Sequence, residues 1–159
     1  MAMINELLHN LPFLKGVAPK DLDLLAGLFR LESYPAGSTI FDQGDRADRL
    51  FVLLNGDVEI RFKPPDGEPL VVTTIESGGV FGWSAALGRK TYTSCAVCIE
   101  ECRALHVQGR LLRQLIEKHP QTGIVILDRL AAVIAERLRN THAQVKALLK
   151  DGMGAEIDQ

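Results

Sequence analysis

The chain has 159 residues, 47% hydrophobic and 24% charged, enough for one well-packed domain and too few for two of ordinary size. Eighteen lysines and arginines against twenty aspartates and glutamates leave a net charge of −2, so no global positive field draws the chain onto nucleic acid or an anionic membrane. Partners must be recognised by local sites.

The opening residues MAMINELLHNLPFL carry no cationic leader, and Glu6, His9 and Asn10 interrupt the apolar ones, unlike a secretory signal. The most apolar later stretch, GIVILDRLAAVIAERL, contains Asp128 and Arg129 and falls short of a bilayer-spanning run. A cytoplasmic protein without membrane contact is expected. Leu22, Leu25, Leu28 and Phe29 stand at helical spacing behind Pro19 and Asp21, so two short helices are predicted before residue 30.

Between residues 30 and 108 the character changes. Short runs rich in Val, Ile, Thr, Phe and Tyr alternate with the turn signals PAG, DQGD, NGD, PPDG, SGG and LGRK, which predicts an antiparallel sandwich or barrel. In RLFVLLNGDVEIRF, Asn55-Gly56 predicts a tight hairpin with both turn residues at positive φ. Cys95, Cys98 and Cys102 are too few and too crowded for a disulfide framework. Their C-x2-C-x3-C spacing lacks a fourth converging ligand, His106 being the one histidine near it, so three small core residues in a reducing compartment are expected rather than a metal site.

A second helical region is predicted from about residue 109, punctuated at Pro120 and running to about Leu149. In it Leu127, Ala131, Ile134, Leu138, Thr141, Val145 and Leu148 recur in steps of four and three, a heptad-like apolar seam that predicts homodimerisation through this helix. The expected domain is therefore 1–149, and KDGMGAEIDQ at 150–159 reads as a frayed polar tail.

This order of helices, small barrel, glycine-bounded cassette and long helix resembles the cyclic-nucleotide-binding domain of the CRP/FNR regulators, shared with cyclic-nucleotide-dependent kinases and channels. The resemblance rests on YPAGSTIFDQGDRADRLFVLLNGDVEI, with Gly37, Gly44 and Gly56 at turn positions, and on GGVFGWSAAL at the place of the phosphate-binding cassette. It implies an α+β fold: a double-stranded β-helix, or jelly-roll, barrel flanked by N-terminal helices and a long C-terminal helix. A short helix opening after Gly82 would aim the backbone N–H groups of Ser84, Ala85 and Ala86 at an anion. The ligand-binding set expected from the resemblance is Phe81, Gly82, Trp83, Ser84, Ala85, Ala86, Arg89, Tyr92, Thr93 and Ser94.

Two departures from the family pattern stand out. A glutamate that accepts the ribose hydroxyl is replaced by Trp83, and an arginine that pairs with the cyclic phosphate is replaced by Tyr92. Indole only donates, and phenol is uncharged at neutral pH. Two charge-assisted contacts of roughly 1.5–3 kcal/mol each would be lost, on the order of a hundred- to ten-thousand-fold in affinity. Arg89 or Lys90 folding over the cradle would replace the cation; as solvated turn residues they would not. Trp83 reads either as a plug in the barrel mouth or as an aromatic platform for a less anionic ligand. Thr93, Ser94 and Ser84 read equally as hydroxyl donors or as ordinary strand residues.

The expectation is a non-enzymatic sensor module that binds cAMP or cGMP weakly or not at all, or another small molecule, and signals through the C-terminal helix to a protein partner. A ligand-free interaction scaffold and a truncated transcription regulator are the alternatives. Direct nucleic-acid binding is not expected, since about ten residues follow Leu149. Catalysis is not expected either, because His9, His106, His119 and His142 are scattered with no nucleophile or carboxylate set around them.

Overall fold

The computed structural model describes residues 2–157, without the side chains of Ala2, Thr141, Gln144, Val145, Leu148 and 151–157. Helix α1 (Ala2–His9), a single 3-10 turn (Pro12–Leu14) and α2 (Pro19–Ala26) precede the strands, and Pro19 opens α2 as the sequence predicts. Leu22 and Leu25 are buried on α2, while Leu28 and Phe29 lie just past its end. Asp21 is buried and accepts a hydrogen bond from the Thr122 hydroxyl, tying this N-terminal layer to the last helix.

Eight strands follow: β1 (Arg30–Tyr34), β2 (Thr39–Phe41), β3 (Arg49–Asn55), β4 (Val58–Phe62), β5 (Leu70–Ile75), β6 (Val80–Phe81), β7 (Cys95–Cys98) and β8 (Cys102–Gln108). They form two antiparallel four-stranded sheets, ordered β1-β8-β3-β6 and β2-β7-β4-β5, the jelly-roll expected between residues 30 and 108. Side chains alternate across β3: Phe51 and Leu53 enter the barrel, whereas Leu50 and Val52 meet the helices. Both faces are covered, which is why RLFVLLN is nearly all apolar.

The hairpin expected at Asn55-Gly56 does not form. β3 pairs with β6 and β8, and β4 with β5 and β7, so the chain changes sheets there. Gly56 alone has positive φ, +93°, and Asn55 stays in its strand. A Cβ on Gly56 would stand 2.7 Å from both Cys102 Sγ and the Glu101 carbonyl oxygen. The glycine is thus demanded by the close approach of β8 at a barrel corner as well as by its dihedral.

Cys95, Cys98 and Cys102 are buried free thiols, core residues on β7 and β8, which are consecutive strands in opposite sheets. Cys102 packs against Cys98 and donates toward the carbonyls of Asp57 and Glu100; burial, then Cys98, pushes its thiol pKa up to about 12, which makes it an unreactive core residue.

Helix α3 (Gly109–Lys118) and α4 (Pro120–Ile157) close the fold. α4 continues to Ile157, through the stretch where the sequence predicts a polar tail; no proline lies between 150 and 157 to stop it. Gly123 lets α4 cross α3 closely, since a Cβ there would sit 2.8 Å from Ile116 Cγ2. Among the described residues no helix is long and apolar enough to cross a membrane.

Candidate functional site: a closed cradle at the barrel mouth

Strand β6 delivers the chain to Gly82, whose φ of +74° and tight surroundings exclude a side chain: a Cβ would lie 2.9 Å from Phe51 Cδ2 and 3.1 Å from the Arg49 carbonyl oxygen. The short helix expected after Gly82 is instead a compact turn over residues 83–88, held by Leu87 N–H to the Trp83 carbonyl, Arg89 N–H to Ser84 and Ala85 N–H to Gly82. Ala85 N–H is therefore engaged rather than aimed at a ligand. Those of Ser84 and Ala86 have no hydrogen-bond partner among the described residues.

Tyr92 is buried in the barrel. Its ring stacks on Phe41 at 3.8 Å between centroids and 15° between planes, and its hydroxyl accepts from the Arg49 N–H at 3.0 Å and donates to the Arg49 carbonyl at 2.6 Å. Burial, outweighing that backbone contact, raises its pKa, so the group is a neutral phenol at any physiological pH. Where the family pattern implies a cation, the chain places a residue fully satisfied by its own backbone.

A cation nevertheless reaches the site, from an element the sequence did not point to. The guanidinium carbon of Arg137, on α4, lies 4.9 Å from the centroid of the Trp83 ring, and Nη2 donates to the Val80 carbonyl at 3.5 Å. Burial lowers the Arg137 pKa, while the guanidinium of an arginine keeps its charge in proteins. The pattern that would have found it is the row Ile126, Leu130, Val133, Arg137, the barrel-facing stripe of α4, whose first two members are buried. It runs one position ahead of the predicted seam at every step.

Seven of the ten expected residues, Phe81, Gly82, Trp83, Ser84, Tyr92, Thr93 and Ser94, line one cavity together with Phe41, Ile60 and Arg137. The cavity measures about 20 Å³. Room for roughly one water needs about 10–15 Å³, and small-molecule sites run to roughly 300–1,000 Å³. Ala85 lies behind the cradle, its carbonyl accepting from Arg113 Nη1 at 2.6 Å, and Ala86 packs toward the helices. Arg89 and Lys90 are exposed and face a different hollow, so neither lies over the cradle.

On the predicted seam, Leu127 and Leu138 are 50% and 64% exposed, Ala131 is exposed and Ile134 is half-buried. Thr141, Val145 and Leu148 are helical, with side chains outside those described.

Similarity to known proteins matches this architecture. The cyclic nucleotide-binding domain profile covers residues 31–119, more than half of the chain. A CRP-like cAMP-activated global transcriptional regulator of Mycobacterium tuberculosis is 30% identical over 146 residues, 92% of this chain and 63% of the regulator; the chain thus spans less than two thirds of that relative's length. The catabolite activator protein of Thermus thermophilus superposes with a TM-score of 0.72 at 28% identity, over 86% of this chain and 62% of that one. Glutaminase 1 of Bradyrhizobium diazoefficiens is 30% identical over 137 residues, 86% of this chain but 22% of the enzyme. With the jelly-roll, the glycine-bounded turn after β6 and the long helix in their expected order, the chain belongs to the cyclic nucleotide-binding domain family and is related to the CRP-like regulators.

Proposed function

We propose that this chain is a regulatory module, not itself catalytic, whose nucleotide cradle is self-filled and whose output is the position of α4. The observation that carries this reading is the 20 Å³ cavity, closed by Tyr92 stacked on Phe41 and by Arg137 over Trp83. A guest large enough to fill a nucleotide site must displace Trp83 and with it Arg137. Because Arg137 belongs to α4, occupancy and helix position are coupled by the differential affinity of the guest for the two arrangements. The matches to 22% of a glutaminase and to 63% of a transcriptional regulator support a module used with more than one output.

Cyclic AMP and cyclic GMP are expected to bind this closed form weakly or not at all. α4 is proposed to pair with a second copy through Leu127, Ala131, Ile134 and Leu138, a stripe next to its barrel-facing row that is exposed except for the half-buried Ile134. Direct contact of these residues with nucleic acid is not part of the proposal, in keeping with the net charge of −2. The closed interior equally favours a second reading, in which no small molecule enters and the domain serves as an interaction scaffold.

Thermal denaturation with and without nucleotide separates these outcomes. Unchanged midpoints at low micromolar cAMP and cGMP are expected; stabilisation by several degrees would overturn the closed-cradle reading. A small molecule from a metabolite collection that stabilises the protein and shifts Trp83 fluorescence would select the sensor over the scaffold.

A further inference from the structure

A hollow of about 630 Å³ opens on the described surface away from the cradle and shares no lining residue with it. Its walls are Arg46 to Asp48 before β3, Gly88 to Lys90 at the end of the cassette turn, and Gln108, Arg110 and Arg113 where β8 passes into α3. Five cationic side chains, Arg46, Arg89, Lys90, Arg110 and Arg113, converge there from three separated segments, against the single carboxylate of Asp48. None of the five has an acidic partner among the described residues, and Asp48 leans away toward Arg49, 3.9 Å from its Nε.

The walls are fixed to one another through the backbone. Ala47 N–H donates to the Lys90 carbonyl at 2.9 Å, Gly109 N–H to the Asp48 carbonyl at 2.9 Å, and Arg46 bridges Thr91. Arg113 Nη1 donates to Ala85, and Gly109 packs so closely that a Cβ would sit 2.3 Å from the Ala85 carbonyl oxygen. The cations therefore project from a rigid concave frame, in a protein that is otherwise slightly acidic. Repelling like charges held in one concavity lower their energy by taking up an anion that carries several charges.

We propose that this basic hollow is a binding site for a small anion with two or more phosphate groups. The volume lies within the range of small-molecule sites, and Arg46, Arg89, Arg110 and Arg113 offer the planar fork that matches phosphate oxygens. The concavity and the net charge of −2 favour a compact ligand over an extended acidic chain or a nucleic acid, which would need a wider basic surface. The site is independent of the reading given above for the cradle.

Isothermal titration of the whole chain with pyrophosphate and tripolyphosphate, each against orthophosphate at matched ionic strength, tests the proposal. One saturable site per chain is expected, with tripolyphosphate binding at least roughly tenfold tighter than orthophosphate. Arg89→Gln combined with Arg110→Gln should weaken it by at least about tenfold, and Arg46→Gln combined with Lys90→Gln, which removes two different cations of the same hollow, should do the same. Arg103→Gln, on the exposed side of β8, should leave it unchanged. Circular dichroism and thermal midpoints identify any variant that fails to fold, and the second pair keeps the test alive if the first does. Lack of saturation below millimolar concentration, or equal binding by both folded double variants and the wild type, overturns the proposal. So does binding of poly-glutamate in the absence of any tripolyphosphate binding, which would assign the hollow to an acidic protein.

Discussion

Arg137 caps the Trp83 ring at 4.9 Å, joining the C-terminal helix to the cassette through one cation–π contact. The two residues are far apart in sequence and come from elements that meet only when α4 lies along the barrel. Trp83 is the chain's one tryptophan, so its emission reports directly on this contact. Arg137→Ala should red-shift the emission and cost about 0.5–2 kcal/mol of stability, whereas Arg137→Lys should fall between the two. An emission spectrum indifferent to Arg137→Ala would mean that the helix does not cover the cassette in solution.

Tyr92 makes two hydrogen bonds to the backbone of Arg49 while stacking on Phe41. Tyr92→Phe keeps the stack but leaves a part-buried N–H and carbonyl without that partner, at a cost of about 1–3 kcal/mol in urea unfolding. A neutral result would show that water takes over both bonds.

Restoring the charged pair of the family pattern should reopen the cradle to nucleotide. Trp83→Glu with Tyr92→Arg is expected to gain measurable stabilisation by cAMP while losing basal stability, because the Phe41 stack goes with the tyrosine. A folded double variant still blind to cAMP would show that the backbone turn at 83–88 does not form an anion site.

Gly37 and Gly56 separate strain from crowding. Both have positive φ, +81° and +93°, but a Cβ on Gly37 meets nothing within 4 Å, whereas one on Gly56 meets Cys102 and Glu101. Gly37→Ala should cost about 1–2 kcal/mol from the dihedral, and Gly56→Ala about 1–3 kcal/mol more. Equal losses in chemical denaturation would argue that the barrel corner relaxes freely.

His106 Nε2 lies 3.0 Å from Glu32 Oε2, a distance that suits either protonation state. Burial, followed by nearby Arg49, nevertheless holds its pKa below the ordinary 6.5, because Glu32 is 45% exposed and screened. The unfolded chain then binds more protons between the two pKa values, so stability rises with pH in that window and falls as pH drops below about 6.5. Thermal midpoints should decline from about pH 7.5 to 5.5 more steeply in the wild type than in His106→Gln. The opposite slope difference would mean that the Glu32 pair prevails.

If α4 pairs with a second copy, sedimentation should show twice the 17.5 kDa chain mass, and Leu127→Glu with Leu138→Glu should return it to monomer. A monomeric wild type at tens of micromolar would refute the pairing.

Local chemistry in the sequence was enough to place the N-terminal helices, the strand region from 30 to 108 and the C-terminal helices in order, though not the turn at 83–88 or the helical end of α4, since strand alternation, proline starts and turn glycines each act within a few residues. The cassette was placed by the family resemblance of GGVFGWSAAL rather than by local chemistry, and Gly82 within it takes a φ of +74°. What local chemistry misassigned were partners. Asn55-Gly56 has the composition of a hairpin, yet β3 and β4 enter different sheets, a choice made by which strands cover which apolar faces across the whole barrel. Arg137 reads as helix surface because a charge on a periodic stripe is normally solvated; only the packing of Ile126, Leu130 and Val133 against the fold turns it onto Trp83. The basic hollow is likewise invisible in one dimension, because its five cations lie on three separated segments and add only where folding brings them together.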